Sequence, residues 1–324
     1  MNRVIAFDLV GGDKGIEVPL SASITFAKEN LDWKLLLYSD LVIDHKLPKN
    51  IEVILCKTRI TAKDSAISIV RKKDSTLVTA LNATVNNQAS AVISASLSGP
   101  LVTAGFLISK PINVDIKPGF APFATKINGE VFVMLDVGAN LGANAFTLEK
   151  YGLLGIEFCK ALGISKNPKL KLLNIGHEKN KGTPLLKETY ALLEKNAKIN
   201  FGGNIEANKI LTDLSVDVVL TEAYGGNIAL KAIEGSISLF VDLLKNSAQN
   251  SLKTKLGLSL ASNLRHDIKK IINEDYLGGA IVIGLNHLLI KAHGRSNEKM
   301  FLTSLNTAKL LIEKDVITHF KAVL

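Results

Sequence analysis

A chain of 324 residues that is 47% hydrophobic and 21% charged is long enough for a sizeable core and too apolar for disorder. Met1 to Phe7 lacks the long apolar region of a secretory signal, and no apolar run approaches the roughly 18–20 residues that cross a bilayer. The two cysteines, Cys56 and Cys159, make neither a disulfide framework nor a metal cluster, and the net charge of +9 admits acidic partners while the lack of zinc-finger or RNP-like patterns excludes nucleic acid from those expected. A cytoplasmic enzyme is the expectation, with residues 1–324 forming one unit of two intimately joined α/β lobes.

Short β-branched runs predict strands at Val4–Phe7, Lys34–Tyr38 and Ile51–Leu55. A helix over Thr76–Asn86, a strand over Ala91–Ala95 and a helix over Gly99–Ile108 follow. Next come a strand at Glu130–Leu135, a helix at Ala143–Leu162, a strand at Lys169–Ile175 and a helix at Pro184–Lys195. A strand at Val216–Leu220, a helix at Gly225–Leu244 and a strand at His287–Ala292 complete the alternation. This is the pattern of an α/β protein with a largely parallel sheet covered on both faces, which places function at the strand C-termini. Lys245–Asn273 differs, with several basic residues and with Leu and Ile at helical spacing. It reads as an amphipathic helical tip: an ordinary surface pair, a dimer contact, or a basic surface resting on anionic lipid through Lys253, Lys255 and Lys269.

The strand ends are rich in small residues: Gly11-Gly12-Asp13, Ser94-Ala95-Ser96, Asp136 to Asn140, Gly176, Gly202-Gly203-Asn204 and Gly225-Gly226-Asn227. Each lets backbone N–H groups approach a ligand, and their recurrence after strands predicts one pocket for a phosphate-like anion. The chain has no G-x-x-x-x-G-K-[ST], no G-x-G-x-x-G after a strand, no H-E-x-x-H and no G-x-S-x-G, which disfavours ATP-driven, dinucleotide, metalloprotease and serine-hydrolase chemistry. Cys159 lies in an apolar helical pattern and reads as a core residue. His177 and His293 have better prospects than the other histidines, although a structural hydrogen bond remains the default for both. The best chemical cluster is basic and polar: Lys181, Asn227, Asn140, Lys117 and the His293/Arg295 pair. Lysine offers a compact charge, and asparagine and glycine N–H groups polarise a carbonyl and hold the oxyanion formed when it is attacked.

Taken together, six blocks resemble the PlsX family of phosphate acyltransferases from end to end. They are Asp8–Asp13, Val70–Leu77, Leu135–Asn140, Leu173–Glu178 with Lys181-Gly182, Asn200–Glu206 and Ile290–Ser296. The resemblance implies a three-layer α/β/α fold like that of isocitrate and isopropylmalate dehydrogenases, a homodimer, and no metal or nucleotide cofactor. It implies transfer of a fatty acyl group from acyl carrier protein to inorganic phosphate, giving acyl phosphate for phospholipid synthesis. By motif position Lys181 and Asn227 correspond to the catalytic pair. Asp8, Gly11, Gly12, Asp13, Ser96, Ser98, Lys117, Asp136, Gly138, Asn140, Gly176, Gly203, Asn204, Gly226 and His293 fall around the phosphate and the acyl thioester. Lys245–Asn273 falls where the family carries its helical tip, with a membrane and a downstream acyltransferase as further contacts.

The chain departs from the family pattern at Ser96-Leu97-Ser98-Gly99-Pro100, where Gly-Asn-Thr-Gly-Ala is usual, and at Glu222–Asn227, which keeps Asn227 but loses a threonine. Two other readings stay open: a phosphotransacetylase-like enzyme using acyl-coenzyme A, and a weakened homologue serving as a membrane-associated scaffold.

Overall fold

The computed structural model describes residues 2–261, 263 and 279–324. Its strands are β1 (Val4–Asp8), β2 (Lys34–Ser39), β3 (Ile51–Leu55), β4 (Ala91–Ser94), β5 (Gly119–Thr125), β6 (Val131–Leu135), β7 (Lys169–Leu173), β8 (Asn200–Ile205), β9 (Val218–Leu220), β10 (Ala280–Ile283) and β11 (Leu288–Lys291). The helices are α1 (Glu17–Glu29), α2 (Ala66–Arg71), α3 (Thr76–Val85), α4 (Ser98–Ala104), α5 (Ala145–Ala161), α6 (Pro184–Lys195), α7 (Ala223–Asn250), α8 (Leu252–Leu260), α9 (Glu298–Glu313) and α10 (Val316–Val323).

All the strands join one sheet in the order β3-β2-β1-β4-β11-β10-β5-β6-β9-β7-β8. The strands from β3 to β11 in that order are mutually parallel, as are β6, β9, β7 and β8, while the pairings β11–β10, β10–β5 and β5–β6 are antiparallel. Three reversals separate the two parallel blocks, so they run in opposite directions.

The strands are apolar on both sides because both faces are covered. Along β1, Ile5 and Phe7 enter one core and Ala6 the other. Leu20 and Phe26 of α1, Leu148 and Phe158 of α5, Leu193 of α6, Phe301 of α9 and Phe320 of α10 fill the first core. Ile69 of α2, Leu77 and Leu81 of α3 and Leu101 of α4 fill the second, against which Ala229, Leu230 and Ile233 of α7 pack. Helix starts follow local chemistry: Asn144, Thr183 and Asn297 each accept a backbone N–H three residues on, and Pro184 occupies the first turn of α6.

The eight expected strands all form, with end shifts of a residue or two, and β5, β8 and β10 are additional. Pro122 within β5 and Gly202-Gly203 within β8 mask those two strands in the sequence. Pairing of β7 with β8 slips between Leu170 and Leu172, so Gly203, at φ +81°, sits in a bulge inside β8 rather than beyond a strand end. The helix expected over Gly99–Ile108 is α4 followed by a π-helical turn at Gly105–Ser109. Of the segment Lys245–Asn273, α7 continues to Asn250 and α8 follows. Lys269 lies outside the described residues.

Phe158 is fully buried between Phe123 of β5, at 5.3 Å between ring centres, and Phe320 of α10, at 6.4 Å. It thus ties the C-terminal helix to the middle of the sheet. Phe158→Ala is expected to cost about 3–5 kcal/mol by cavity formation, read as a lowered denaturation midpoint. A loss below about 1 kcal/mol would show that α10 does not depend on this stack.

Candidate functional site

At the end of β6 the buried carboxylate of Asp136 gathers the chain around itself. Its Oδ1 accepts the N–H groups of Phe120 (2.8 Å), Gly138 (3.1 Å) and Ala139 (3.0 Å), and its Oδ2 accepts that of Asn140 (2.7 Å). Burial raises its pKa against the downward pull of these amides. The glycine-turn amides that the sequence offered to a phosphate are therefore engaged internally. Asn140 is engaged as well: its Nδ2 donates to Tyr151 Oη at 3.2 Å, and its Oδ1 accepts from Gly142 at 3.3 Å. Tyr151 in turn donates to the carbonyl of Lys117 at 2.7 Å, fixing the approach to β5.

The neighbouring end of β9 leads into α7. Glu222 caps that helix by accepting from Tyr224 N (2.9 Å) and Gly225 N (2.6 Å), while Gly226 N closes the first turn onto Glu222 O. A Cβ on Gly226 would lie 2.3 Å from the carbonyl oxygen of Asp136, so glycine lets the helix start against β6. Gly226 is a packing residue here, and the helix N-terminus is already occupied by a carboxylate. Asn227, half-buried in that first turn, lies against Gly138, whose added Cβ would be 3.4 Å from its Cγ.

After β7, the loop carrying Lys181 is pinned by two buried asparagines. Asn174 Nδ2 donates to Lys181 O and to Asn204 Oδ1, both at 3.2 Å, and Asn204 Nδ2 donates to Glu178 O at 2.9 Å. Gly176 passes under the Lys181 side chain, where an added Cβ would be 3.2 Å from Cγ. His177 pairs with Glu206 at 3.3 Å. What remains unengaged among the described residues of this edge is informative: no hydrogen bond or ion pair holds the ammonium groups of Lys117 and Lys181 or the carboxamide of Asn227.

The strand ends of the other parallel block carry a second cluster. Asp8, buried at the end of β1, accepts from Val10 N (3.2 Å), Ser94 Oγ (2.7 Å) and Ser96 Oγ (3.2 Å), and burial lifts its pKa to about 6. Gly11, at φ +104°, lies so close to Ser96 that a Cβ would meet its backbone at 2.8 Å. Asp13 N donates to Gly294 O at 2.7 Å, which ties the glycine turn to the loop after β11. Gly12 is enclosed by Phe301 and Gly294, and Ser98 is exposed at the start of α4.

His293 Nδ1 accepts from Arg295 N at 3.2 Å, and burial followed by the charges of Lys291 and Arg295 depresses its pKa. Lys291, inside the Ile290–Ser296 block but not among the expected site residues, belongs to the same cluster. Burial lowers its pKa to about 8, with Asp13 opposing the shift. A single charge closing the otherwise apolar run Leu288–Lys291 was the signal for it.

The expected site residues fall into two groups, one at the strand ends of each parallel block. One holds Lys117, Asp136, Gly138, Asn140, Gly176, Lys181, Asn204, Gly226 and Asn227. The other holds Asp8, Gly11, Gly12, Asp13, Ser96, Ser98 and His293. The two groups belong to parallel blocks of opposite polarity, and no residue-by-residue pattern encodes that polarity. Cys159 is fully buried with its Sγ 3.4 Å from Asp217 O, and burial drives its pKa far upward.

Residues 3–319 match the family described as fatty acid synthesis protein. A phosphate acyltransferase of Staphylococcus epidermidis is 36% identical, covering 98% of both chains. One from Staphylococcus aureus is 35% identical, over 98% of this chain and 97% of the other. Among solved structures, a branched-chain phosphotransacylase from Enterococcus faecalis superposes with a TM-score of 0.56 at 14% identity, covering 95% of this chain and 99% of that one. A phosphotransacetylase from Streptococcus pyogenes gives 0.57 at 15% identity, over 96% and 94%. These two share the fold, a large central sheet flanked by helices. The whole-length match and the level of identity establish that the chain belongs to the fatty acid synthesis protein family, the PlsX family of acyltransferases.

Proposed function

We propose that this protein transfers a fatty acyl group from acyl carrier protein to inorganic phosphate at the edge formed by the ends of β6, β9 and β7. The observation that carries the reading is what each polar group there is doing. Asp136, Asn140, Asn174, Asn204 and Glu222 are engaged in holding loops, whereas Lys117, Lys181 and Asn227 are not. Two ammonium groups and a carboxamide suit an anionic nucleophile and a carbonyl that becomes an oxyanion.

In this reading an oxygen of phosphate attacks the thioester carbonyl carbon. The carbonyl electron pair moves to oxygen beside Lys181 and Asn227 and then returns as the C–S bond breaks, releasing the carrier thiolate and acyl phosphate. Phosphate is partly dianionic at neutral pH and a thiolate is a competent leaving group, so neither a strong general base nor an acyl-enzyme is required. The two oppositely directed parallel blocks correspond to the two lobes, arranged as in the isocitrate and isopropylmalate dehydrogenase fold. Asp8, Asp13 and Ser96 act as scaffold of the other cluster, where Lys291 and His293 supply further positive charge.

The outer half of α7 and α8 exposes Leu239, Phe240, Leu243, Leu252, Leu256 and Leu260, alongside Lys245, Lys253 and Lys255. No described helix is long and apolar enough to cross a membrane. We assign this face to peripheral contact with an anionic membrane, with a second copy of the chain as the competing occupant. Neutralising Lys253 and Lys255 is expected to weaken binding to anionic vesicles by about 1 kcal/mol per charge in a sedimentation assay. Unchanged vesicle binding would instead assign the face to a homodimer contact.

Acyl phosphate formed from acyl-acyl carrier protein and phosphate is trapped as a hydroxamate by hydroxylamine, and Lys181→Ala and Asn227→Ala should each lower its rate by roughly 10²-fold or more. Wild-type rates in both variants would remove the pair from the chemistry, and a preference for acyl-coenzyme A would replace the proposed donor. No phosphate-dependent hydroxamate from either donor would leave a scaffold.

Asp136→Asn puts an amide donor among four N–H groups. It should lower unfolding stability by about 1–3 kcal/mol and reduce turnover through the displaced turn. A variant with unaltered stability would show that those amides find other acceptors.

A further inference from the structure

An open cavity of about 320 Å³, nearer a surface groove than an enclosed pocket, lies beside the β10–β11 turn, sharing no residue with either cluster above. Its polar wall is Ser109, Lys110, Asn286, His287 and Lys321, and Val85 and Ile108 give it an apolar side. Ser109 Oγ and His287 Nδ1 are both buried and unmatched by a side-chain partner, the His287 ring lying against the Ser109 backbone, and Ser109 is only 2% exposed. Folds rarely leave two such atoms beside one cavity unless something else completes them.

The backbone around the cavity is unusual as well. Ser109 ends the π-helical turn, a form that recurs at functional sites, and Lys110 follows with φ +58°. Asn286 holds that conformation by donating from its N (3.0 Å) to Lys110 O and from its Nδ2 (2.9 Å) to Pro111 O. The result directs a lysine, a serine, a histidine and the Lys321 side chain of α10 to one small space.

We propose that this cavity is a second ligand site, built for a small phosphomonoester. Two lysines act as compact positive charges, and a hydroxyl and an imidazole add hydrogen-bonding groups that can rotate or exchange protons to meet several oxygens. That set fits a tetrahedral dianion, whereas planar carboxylates are favoured by an arginine fork, which the cavity lacks. The volume, at the lower end for small-molecule pockets, exceeds what inorganic phosphate fills, and Val85 and Ile108 accommodate a short carbon substituent.

The test is calorimetric titration of the full-length protein with propyl phosphate and, separately, inorganic phosphate, with the His287 ring followed by NMR. Propyl phosphate should bind more tightly than phosphate, shift the His287 resonances, and lose about tenfold or more in affinity in Lys321→Met and Ser109→Ala. Binding and the His287 shift should persist in Lys181→Ala. If propyl phosphate fails to bind, or binds with the same affinity in Lys321→Met and Ser109→Ala, the assignment is overturned. Loss in Lys181→Ala with His287 unmoved would place the ligand at the other site and equally overturn it. Circular dichroism of Lys321→Met and Ser109→Ala, expected to match the parent spectrum, checks that the fold is intact in both.

Discussion

The carboxylate of Asp136 is a buried charge that the fold tolerates because four backbone N–H groups converge on it. That single acceptor sets the turn after β6, the entry to β5 and, through the close approach of Gly226 to its own carbonyl, the origin of α7. An uncompensated carboxylate in such a place would cost several kcal/mol. The turn therefore has little freedom to open toward a ligand. The position of Asn227 follows from it, since Asn227 rides on the first turn of α7 and rests against Gly138.

The same logic recurs at the other cluster with different donors. Asp8 collects an amide and side-chain hydroxyls, those of Ser94 and Ser96 among them, where Asp136 collects amides alone. Serine oxygens that look like anion ligands in the sequence are donors to an aspartate in the fold. Once these internal demands are met, the groups left to meet a substrate are long side chains: Lys117 and Lys181 in one cluster and Arg295 in the other, where Lys291 is instead largely buried and donates to Ala292 O. A scaffold that satisfies its own short polar groups and leaves flexible cations outside places positive potential without fixing it to one geometry. This suits a substrate whose negative charge moves from a phosphate oxygen to a carbonyl oxygen and then to sulfur.

Much of this was legible in the sequence, for reasons that differ by element. Buried parallel strands such as Ala91–Ser94 announce themselves as short β-branched runs, and Pro184 and Asn297 mark helix starts by local chemistry. Strand β8 did not, because Gly202-Gly203 reads as a turn until the bulge opposite Leu170–Leu172 explains it. Lys181 and Asn227 could be singled out by residue type and motif position. That Asn140, Asn204 and Gly226 are internal supports could not, because a hydrogen-bond partner 11 or 30 residues away leaves no local trace. The reversal of polarity through β10 and β5 depends on strand order across the whole chain.

Helix α7 links these levels. It starts beside Asp136, and partway along it Glu234 lies near enough for its charge to act on His293 of the other cluster. Its 28 residues correspond to about 42 Å at the α-helical rise, more than the length of the strands it crosses. The inner part packs through Ala229, Leu230 and Ile233, while Leu239, Phe240 and Leu243 farther out are exposed. A continuous helix transmits displacement along its axis better than a chain of loops does. A contact made on the exposed outer half would therefore bear on the same rod whose first turn positions Asn227. Carboxylate capping by Glu222 and the tight seat of Gly226 anchor the inner end, so the outer half is the part free to yield.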